Sequence, residues 1–380
     1  MTRRMWVALL GVVLAFGLVV AFAPVPGGRC RPWPRCNEAS GPLPRPSPST
    51  KPTTTPGPEL EPLVAGLAGR DRRDPAAVVD SWNPRASWAE LQPHGEGTAI
   101  VHPNAIDVAL QEAAATGEQI RLRLDTGYRS PAWLKASVGT VSVCDPPGGG
   151  SPMSIGCFTV PRWWRGGWRS AHDTFLRELA ADYDGQVALF HACSVATIFC
   201  EPFLRQVDGS SSQAQRNRTR LEAAGFSTAG DRASWYAAID SWGRHFTSSR
   251  VAIGLNPGQG FDPETGAWTV GKVAYTRQIA DHFVTVLGPR AVLQNNSLNE
   301  HHASGGNYRR LYSYMASLRD AGTPIAFQTS VAAYISDLRA VMELAIGYGA
   351  HLVELPAGWR NSGVAPAQWR AYRSRLLAQA

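Results

Sequence analysis

Three glutamates stand where a strand-length apolar run ends or on the loop that follows one: Glu201, Glu300 and Glu354. Glu201 closes the stretch VALFHACSVATIFCEPFL (187–204), in which 187–190 is apolar and Cys193 and Cys200 flank the loop before the carboxylate. A bridge between those cysteines would hold Glu201 in place. Phe199, Pro202 and Phe203 crowd it with apolar surface, which favours the protonated form of a carboxyl group. The alternative for Glu201 is a loop carboxylate paired with Arg205. A protonated acid facing a second carboxylate is the apparatus that breaks a glycosidic bond. Glu354, ending HLVELP, and Glu300, in SLNEHH, are the two candidates for that second group.

Other polar residues fall at the ends of the same kind of run: Trp88, Asp125, His191, Asn256, Gln294, Asn296 and Gln328. Carboxylates and amides in such a set suit a ligand dense in hydroxyl groups. The chain has 13 tryptophans, and Trp133, Trp163, Trp164, Trp168, Trp268 and Trp359 lie on expected loops. A flat indole face matches the apolar face of a sugar ring; the competing role for each is packing. Trp88, Asp125, Trp133, His191, Asn256, Asn296, Gln328 and Trp359 are therefore the expected carbohydrate contacts. Asp125 has a second reading, an ion pair inside the fold with Arg121 and Arg123, which share its face. His301-His302 beside Glu300 offers no metal site, because neighbours on a strand face opposite ways and no third ligand stands out. No cofactor is expected, since no Gly-rich nucleotide motif follows any strand.

Such residues need strands to carry them and helices to connect those strands. Apolar runs at 77–82, 86–88, 120–124, 187–190, 251–255, 291–294, 325–328 and 351–355 read as eight strands. Helical patterns occupy 103–116, 171–183, 232–246, 273–287, 308–321, 338–347 and 365–378. Parallel strands need helical crossovers. Eight of them predict an α/β fold, a single (β/α)8 TIM barrel whose strand ends and following loops build the site.

The ends of the chain set its surroundings. A basic Thr2-Arg3-Arg4 precedes 18 uncharged, largely apolar residues from Trp6 to Ala23, so residues 1–26 read as a signal peptide or signal anchor. Residues 27–62, rich in Pro, Ser and Thr, form a disordered linker, and 63–380 form the barrel domain. The protein is expected outside the cell membrane, either anchored through its N-terminal segment or secreted. Of the formal charge of +7, ten Lys and Arg against five Asp and Glu in residues 1–75 supply +5. The +2 left for the remainder argues against nucleic acid as a partner. Six cysteines form three sequence-local pairs, Cys30 with Cys36, Cys144 with Cys157 and Cys193 with Cys200, which suits disulfides in an oxidising compartment.

WAELQPHGEG (88–97), a helix, and IRLRLDTGYRSPAWL (120–134) resemble the second and third strands of clan A glycoside hydrolases. Those enzymes often show Trp-x-x-Leu-x-Pro and then a strand leading to a Pro-x-Trp loop. The resemblance covers roughly Trp82 to Trp359 and implies an acid/base glutamate after the fourth strand, the position of Glu201. Asn usually precedes that glutamate in the clan, and Cys200 stands there here. The clan's nucleophile ends the seventh strand, whereas IAFQTS (325–330) holds no acid. The resulting expectation is an exported glycosidase with Glu201 as general acid/base. The alternative is an inactive barrel that binds cell-surface or environmental glycan.

Overall fold

Residue types along each barrel strand change with depth, and that change builds the molecule. A computed structural model describes residues 59–70, 78–145, 156–207, 210–257, 265, 267–268 and 273–380. The expected N-terminal segment, most of the linker, and Cys30 and Cys36 lie outside the described residues. No helix among the described residues is long and apolar enough to cross a membrane.

The strands are β1 (Gly66–Arg70), β2 (Ser81–Asn83), β3 (Arg85–Ser87), β4 (Gln119–Asp125), β5 (Thr140–Cys144), β6 (Cys157–Pro161), β7 (Leu189–His191), β8 (Arg250–Leu255), β9 (Ala291–Leu298), β10 (Ile325–Thr329) and β11 (Leu352–Glu354). The helices are α1 (Trp88–Leu91), α2 (Ala105–Ala114), α3 (Ala132–Val138), α4 (Gly166–Tyr183), α5 (Ser212–Ala223), α6 (Thr228–His245), α7 (Ala274–Leu287), α8 (Gly306–Asp320), α9 (Leu338–Gly347) and α10 (Pro366–Leu377). β1 pairs with both β2 and β11, and parallel pairing runs unbroken from β4 through β7, β8, β9 and β10 to β11. β2 and β3 both pair with β4, which closes the ring. They are one stave interrupted at Pro84, whose nitrogen has no hydrogen for the ladder; its carbonyl still accepts from Arg123 N–H at 2.9 Å. The result is an eight-stave parallel barrel.

Two details differ from the sequence expectation. Runs 77–82 and 86–88 are not two strands but parts of the second stave. The first stave is GLAGR, whose Gly and Ala residues give no apolar run. Gly66 has φ +95°, and a Cβ there would run into the Asp80 carboxylate, which accepts from Leu67 N–H at 3.0 Å. The numbering of staves three to eight is unchanged, because one stave was missed and one counted twice. The antiparallel hairpin β5–β6 and helix α5 are further additions.

Inside the barrel, Ala68, Leu189, Ala252, Val292, Ala326 and Leu352 form an apolar plug of small and branched side chains. Two residues further along the same staves, on the same face, stand Arg70, His191, Gly254, Gln294, Gln328 and Glu354. The period-2 geometry of a strand thus turns an apolar floor into a polar layer in one step. The opposite faces, including Leu67, Phe190, Ile253, Leu293, Phe327 and Val353, pack against the helices in the main core. Trp88 belongs to that core. It is fully buried, stacked on Phe175 at 4.7 Å and edge-on to Trp133, Trp168 and His172.

His172 and His351 are buried, and among the described residues neither ring nitrogen of His172 has a hydrogen-bond partner. Burial pushes each imidazole down to about 3, so both are neutral in the fold. An unfolded chain protonates them near the ordinary histidine value of about 6.5. Stability is therefore undiminished above that value and falls as pH drops from about 6.5 toward 3. Denaturant midpoints are expected to be lower at pH 5 than at pH 7.5, and His172→Phe should remove part of the difference. Equal midpoints at the two pH values would contradict neutral burial.

Candidate functional site

The loop that carries Glu201 leaves the fourth stave at His191 and crosses the polar end of the barrel. Thr126 Oγ1 bonds the Cys193 and Ser194 carbonyls, and Tyr128 N–H donates to the Thr197 carbonyl at 3.0 Å. Trp242 Nε1 donates to Ser194 Oγ at 2.9 Å, and Thr197 Oγ1 to Gln206 Oε1 at 2.7 Å. A Cβ at Gly127 would meet the Thr197 and Ala196 carbonyls at 2.3 and 2.5 Å. At Gly254 it would meet the Cys200 carbonyl and Asn296 Nδ2, both at 2.3 Å. Glycine at these two positions lets the loop lie directly on its neighbours. The Cys193–Cys200 and Cys144–Cys157 disulfides are both present. The first closes the loop one residue before Glu201, and the second staples β5 to β6.

Glu201 is 5% exposed and accepts from Asn256 Nδ2, at the end of the fifth stave, at 2.5 Å. Asn256 Oδ1 accepts from Asn295 Nδ2 and from Ser297 Oγ, each at 2.8 Å. Asn296 Nδ2 reaches the Cys200 carbonyl at 3.4 Å, and its Oδ1 accepts from Gln294 Nε2 at 2.7 Å. The structure thus brings Glu201, Asn256 and Asn296 together.

Glu354 occupies a different setting. It is fully buried, with Arg70 Nε at 3.1 Å, Arg123 Nη2 at 3.4 Å, Arg121 Nη1 at 3.6 Å and Asn83 Nδ2 at 3.0 Å. Burial opposes its ionisation, but Arg123, Arg70 and Arg121 together outweigh that and hold its carboxyl below the ordinary range. Burial also lowers Arg121 to about 10. Its Nη2 donates to Gln294 Oε1 at 2.7 Å and contacts His191 Nε2 at 3.0 Å. His191 is held well below its usual value by burial and by Arg121 and Arg123, so it is neutral and accepts that hydrogen. Gln328 accepts from Arg123 Nη2 at 2.6 Å.

The other candidates are spread over the face. Asp125 is forked by Arg85 at 2.8–3.0 Å, lies 3.8 Å from Arg129, and sits 3.9 Å from Cys200 Sγ. Its partners are not the Arg121 and Arg123 anticipated from their shared face. Asp125 with Cys193 and Cys200 forms the one cluster of potential metal donors among the described residues. Both sulfurs are in a disulfide, so the cluster has no thiolate to offer. Glu300 accepts from Ser336 N–H at 2.6 Å and Asp337 N–H at 3.3 Å, which ties it to the turn before α9. The Ser336 hydroxyl, with those backbone bonds, holds its carboxyl below the usual range against the opposing effect of burial. Trp133 is half-buried and donates to the Gln92 carbonyl at 2.9 Å; Trp359 is half-buried against Trp369. Trp163, Trp164 and Trp168 are buried in the core.

Four contributors escaped the sequence reading: Arg70, Asn83, Asn295 and Tyr312. The Asn295-Asn296-Ser297 triplet carries a signal, three polar side chains ending an apolar strand, yet it also matches a glycosylation sequon. Asn295 is fully buried and hydrogen-bonded on both amide atoms.

Removing charge from Glu354 leaves three guanidiniums around a neutral group. Glu354→Gln is expected to cost about 3–5 kcal/mol, the usual loss when a buried pair is broken from one side. Urea unfolding checks this, and a loss below about 1 kcal/mol would contradict it. Gly254→Ala should cost about 1–3 kcal/mol through the same assay, because a main-chain carbonyl must move aside.

No family model matches the chain, and no curated protein matches it. Among solved structures the chain is similar to a beta-glycosidase at 13% identity, covering 79% of this chain and 82% of that one, with a TM-score of 0.43. It is similar to beta-glucosidase from Thermotoga maritima at 11% identity, over 73% and 74% of the two chains, with a TM-score of 0.41. Endo-glycoceramidase II from Rhodococcus sp. aligns at 13% identity over 80% and 76%, with a TM-score of 0.41.

Proposed function

We propose that the chain is a glycoside-hydrolase-type barrel in which Glu201 is the general acid and base at a glycosidic oxygen. The observation that carries this is the setting of Glu201. It is a buried carboxyl group on the loop after the fourth stave, given a hydrogen bond by an amide of the fifth stave and fixed by a disulfide one residue away. A carboxyl group can donate a proton to a glycosidic oxygen and later take one from water, the acid and base steps such a residue performs. Protonation of the leaving oxygen by Glu201 would assist cleavage of the bond at the anomeric carbon. A second carboxylate would then attack that carbon or activate water. Glu354 is the ionised candidate, and Trp133 and Trp359 are the aromatic faces for the sugar. Two disulfides fit an oxidising compartment, which supports an exported protein.

A second reading has its own support. Glu354, Glu300 and Asp125 are all committed, to three arginines, a helix turn and two arginines respectively. That commitment favours an inactive barrel that binds glycan through the same face.

Glu201→Gln keeps the volume and removes the exchangeable proton. Hydrolysis of glycosides with poor leaving groups is expected to fall by about 10² to 10⁴, and hydrolysis of an activated aryl glycoside much less. Equal rates for the two proteins on a cleaved glycan would remove Glu201 from the mechanism. Glycan binding without cleavage by either protein would select the second reading.

A further inference from the structure

The amide bonded to Glu201 belongs to a chain of side chains whose direction is set by the main chain. Asn295 Nδ2 lies 2.7 Å from the Leu255 carbonyl, and Asn295 Oδ1 lies 3.2 Å from Ser297 N–H. Turning this amide over would set N–H against N–H and carbonyl against carbonyl, so only one orientation satisfies both. Asn295 Nδ2 is then the donor to Asn256 Oδ1, which also accepts from Ser297 Oγ. With its oxygen so engaged, Asn256 has only its Nδ2 left to turn toward Glu201 Oε2. On the other side, Tyr312 Oη at 2.8 Å must donate to Asn295 Oδ1. His302 Nδ1, also 2.8 Å from Tyr312 Oη, must therefore carry the hydrogen, leaving Nε2 to accept from Asn299. Burial lowers His302 to about 4, in keeping with a neutral ring of fixed tautomer.

We infer that Asn256 is the positioning residue of Glu201, an obligate donor to Oε2 whose orientation is imposed through Asn295 by the Leu255 carbonyl and the Ser297 amide. The inference deepens the reading of Glu201 as acid and base, because it names what orients that carboxyl group. Asn256 is 6% exposed and Asn295 fully buried, so water has little access to replace the donor. A hydrogen bond to a charged group of this kind favours the ionised form.

The test reads the proton on Glu201 directly. The side-chain carboxyl carbon of Glu201 is followed by NMR in ¹³C-glutamate-labelled protein, with Glu201→Gln assigning the signal. In Asn256→Ala the titration midpoint is expected to rise by about one unit or more, the worth of a bond to a charged acceptor. In Asn256→Asp, which keeps the shape, two carboxyl groups would share a proton, and the shift should be larger and biphasic. A midpoint that stays put in both folded Asn256 variants overturns the inference.

A measurement on the unaltered protein covers the case in which those variants do not fold. The Asn256 side-chain ¹⁵N–H resonance should shift with pH at the same midpoint as the Glu201 carboxyl, and an unresponsive resonance also overturns the inference. Hydrolysis is scored separately. A moved midpoint in a protein that cleaves no glycan keeps the positioning role and removes the hydrolase reading. An unmoved midpoint with Glu201-dependent cleavage does the reverse.

Discussion

The meeting of one carboxylate with three guanidiniums at the polar end of the barrel is the constraint on which the site depends. Glu354 on the last stave is touched by Arg70 from the first, Asn83 from the second, and Arg121 and Arg123 from the third. Four staves are therefore joined through one side chain. Taking such groups out of water is costly, and the attraction between them offsets the cost only if further hydrogen bonds complete the set. Gln294, Gln328 and His191 do much of that. Each acts as an uncharged acceptor for Arg121 or Arg123, and Arg70 donates to the Thr329 carbonyl.

Glu201 is held by other means. Its loop is covalently closed by Cys193–Cys200, lies against glycines where neighbours leave no space for a Cβ, and is hydrogen-bonded from three surrounding elements. The hairpin β5–β6 joins in through Asp145, which accepts from Gln206, and through Cys144, whose backbone is bonded on both sides to Asn217 of α5. Both disulfides thus act on one layer of loops. Rigid support around a reacting group limits the search for a productive geometry.

The alternation of strands and helices was legible because apolar periodicity reports burial, and staves three to eight turn branched or aromatic residues such as Leu122, Phe190, Ile253, Leu293, Phe327 and Val353 toward the helices. The first stave was hidden because GLAGR carries its message in the backbone: small residues make room for the plug and positive φ turns the chain. The second stave read as two because Pro84 breaks its ladder. The placement of Glu201 after the fourth stave was readable from local spacing, as was its disulfide. The partners of Glu354 were not, because Arg70 lies 284 residues away and Arg123 231. Such pairs appear only once the ring is closed. Trp88 shows the opposite error: a tryptophan at a strand end looked like a ligand contact, yet the residue turns outward under α4.

Those long separations also bear on how the chain reaches its fold. Contacts between first and last staves reward closure only after the entropy of a very long loop has been met. Until residue 354 is in place, Arg121 and Arg123 face a polar layer with no countercharge, and a seven-stave intermediate has two open edges. Synthesis from the N-terminus therefore delivers the cations well before their carboxylate. The barrel is built to assemble as a unit once its eighth stave has been made, and partial barrels are poor resting points on the way.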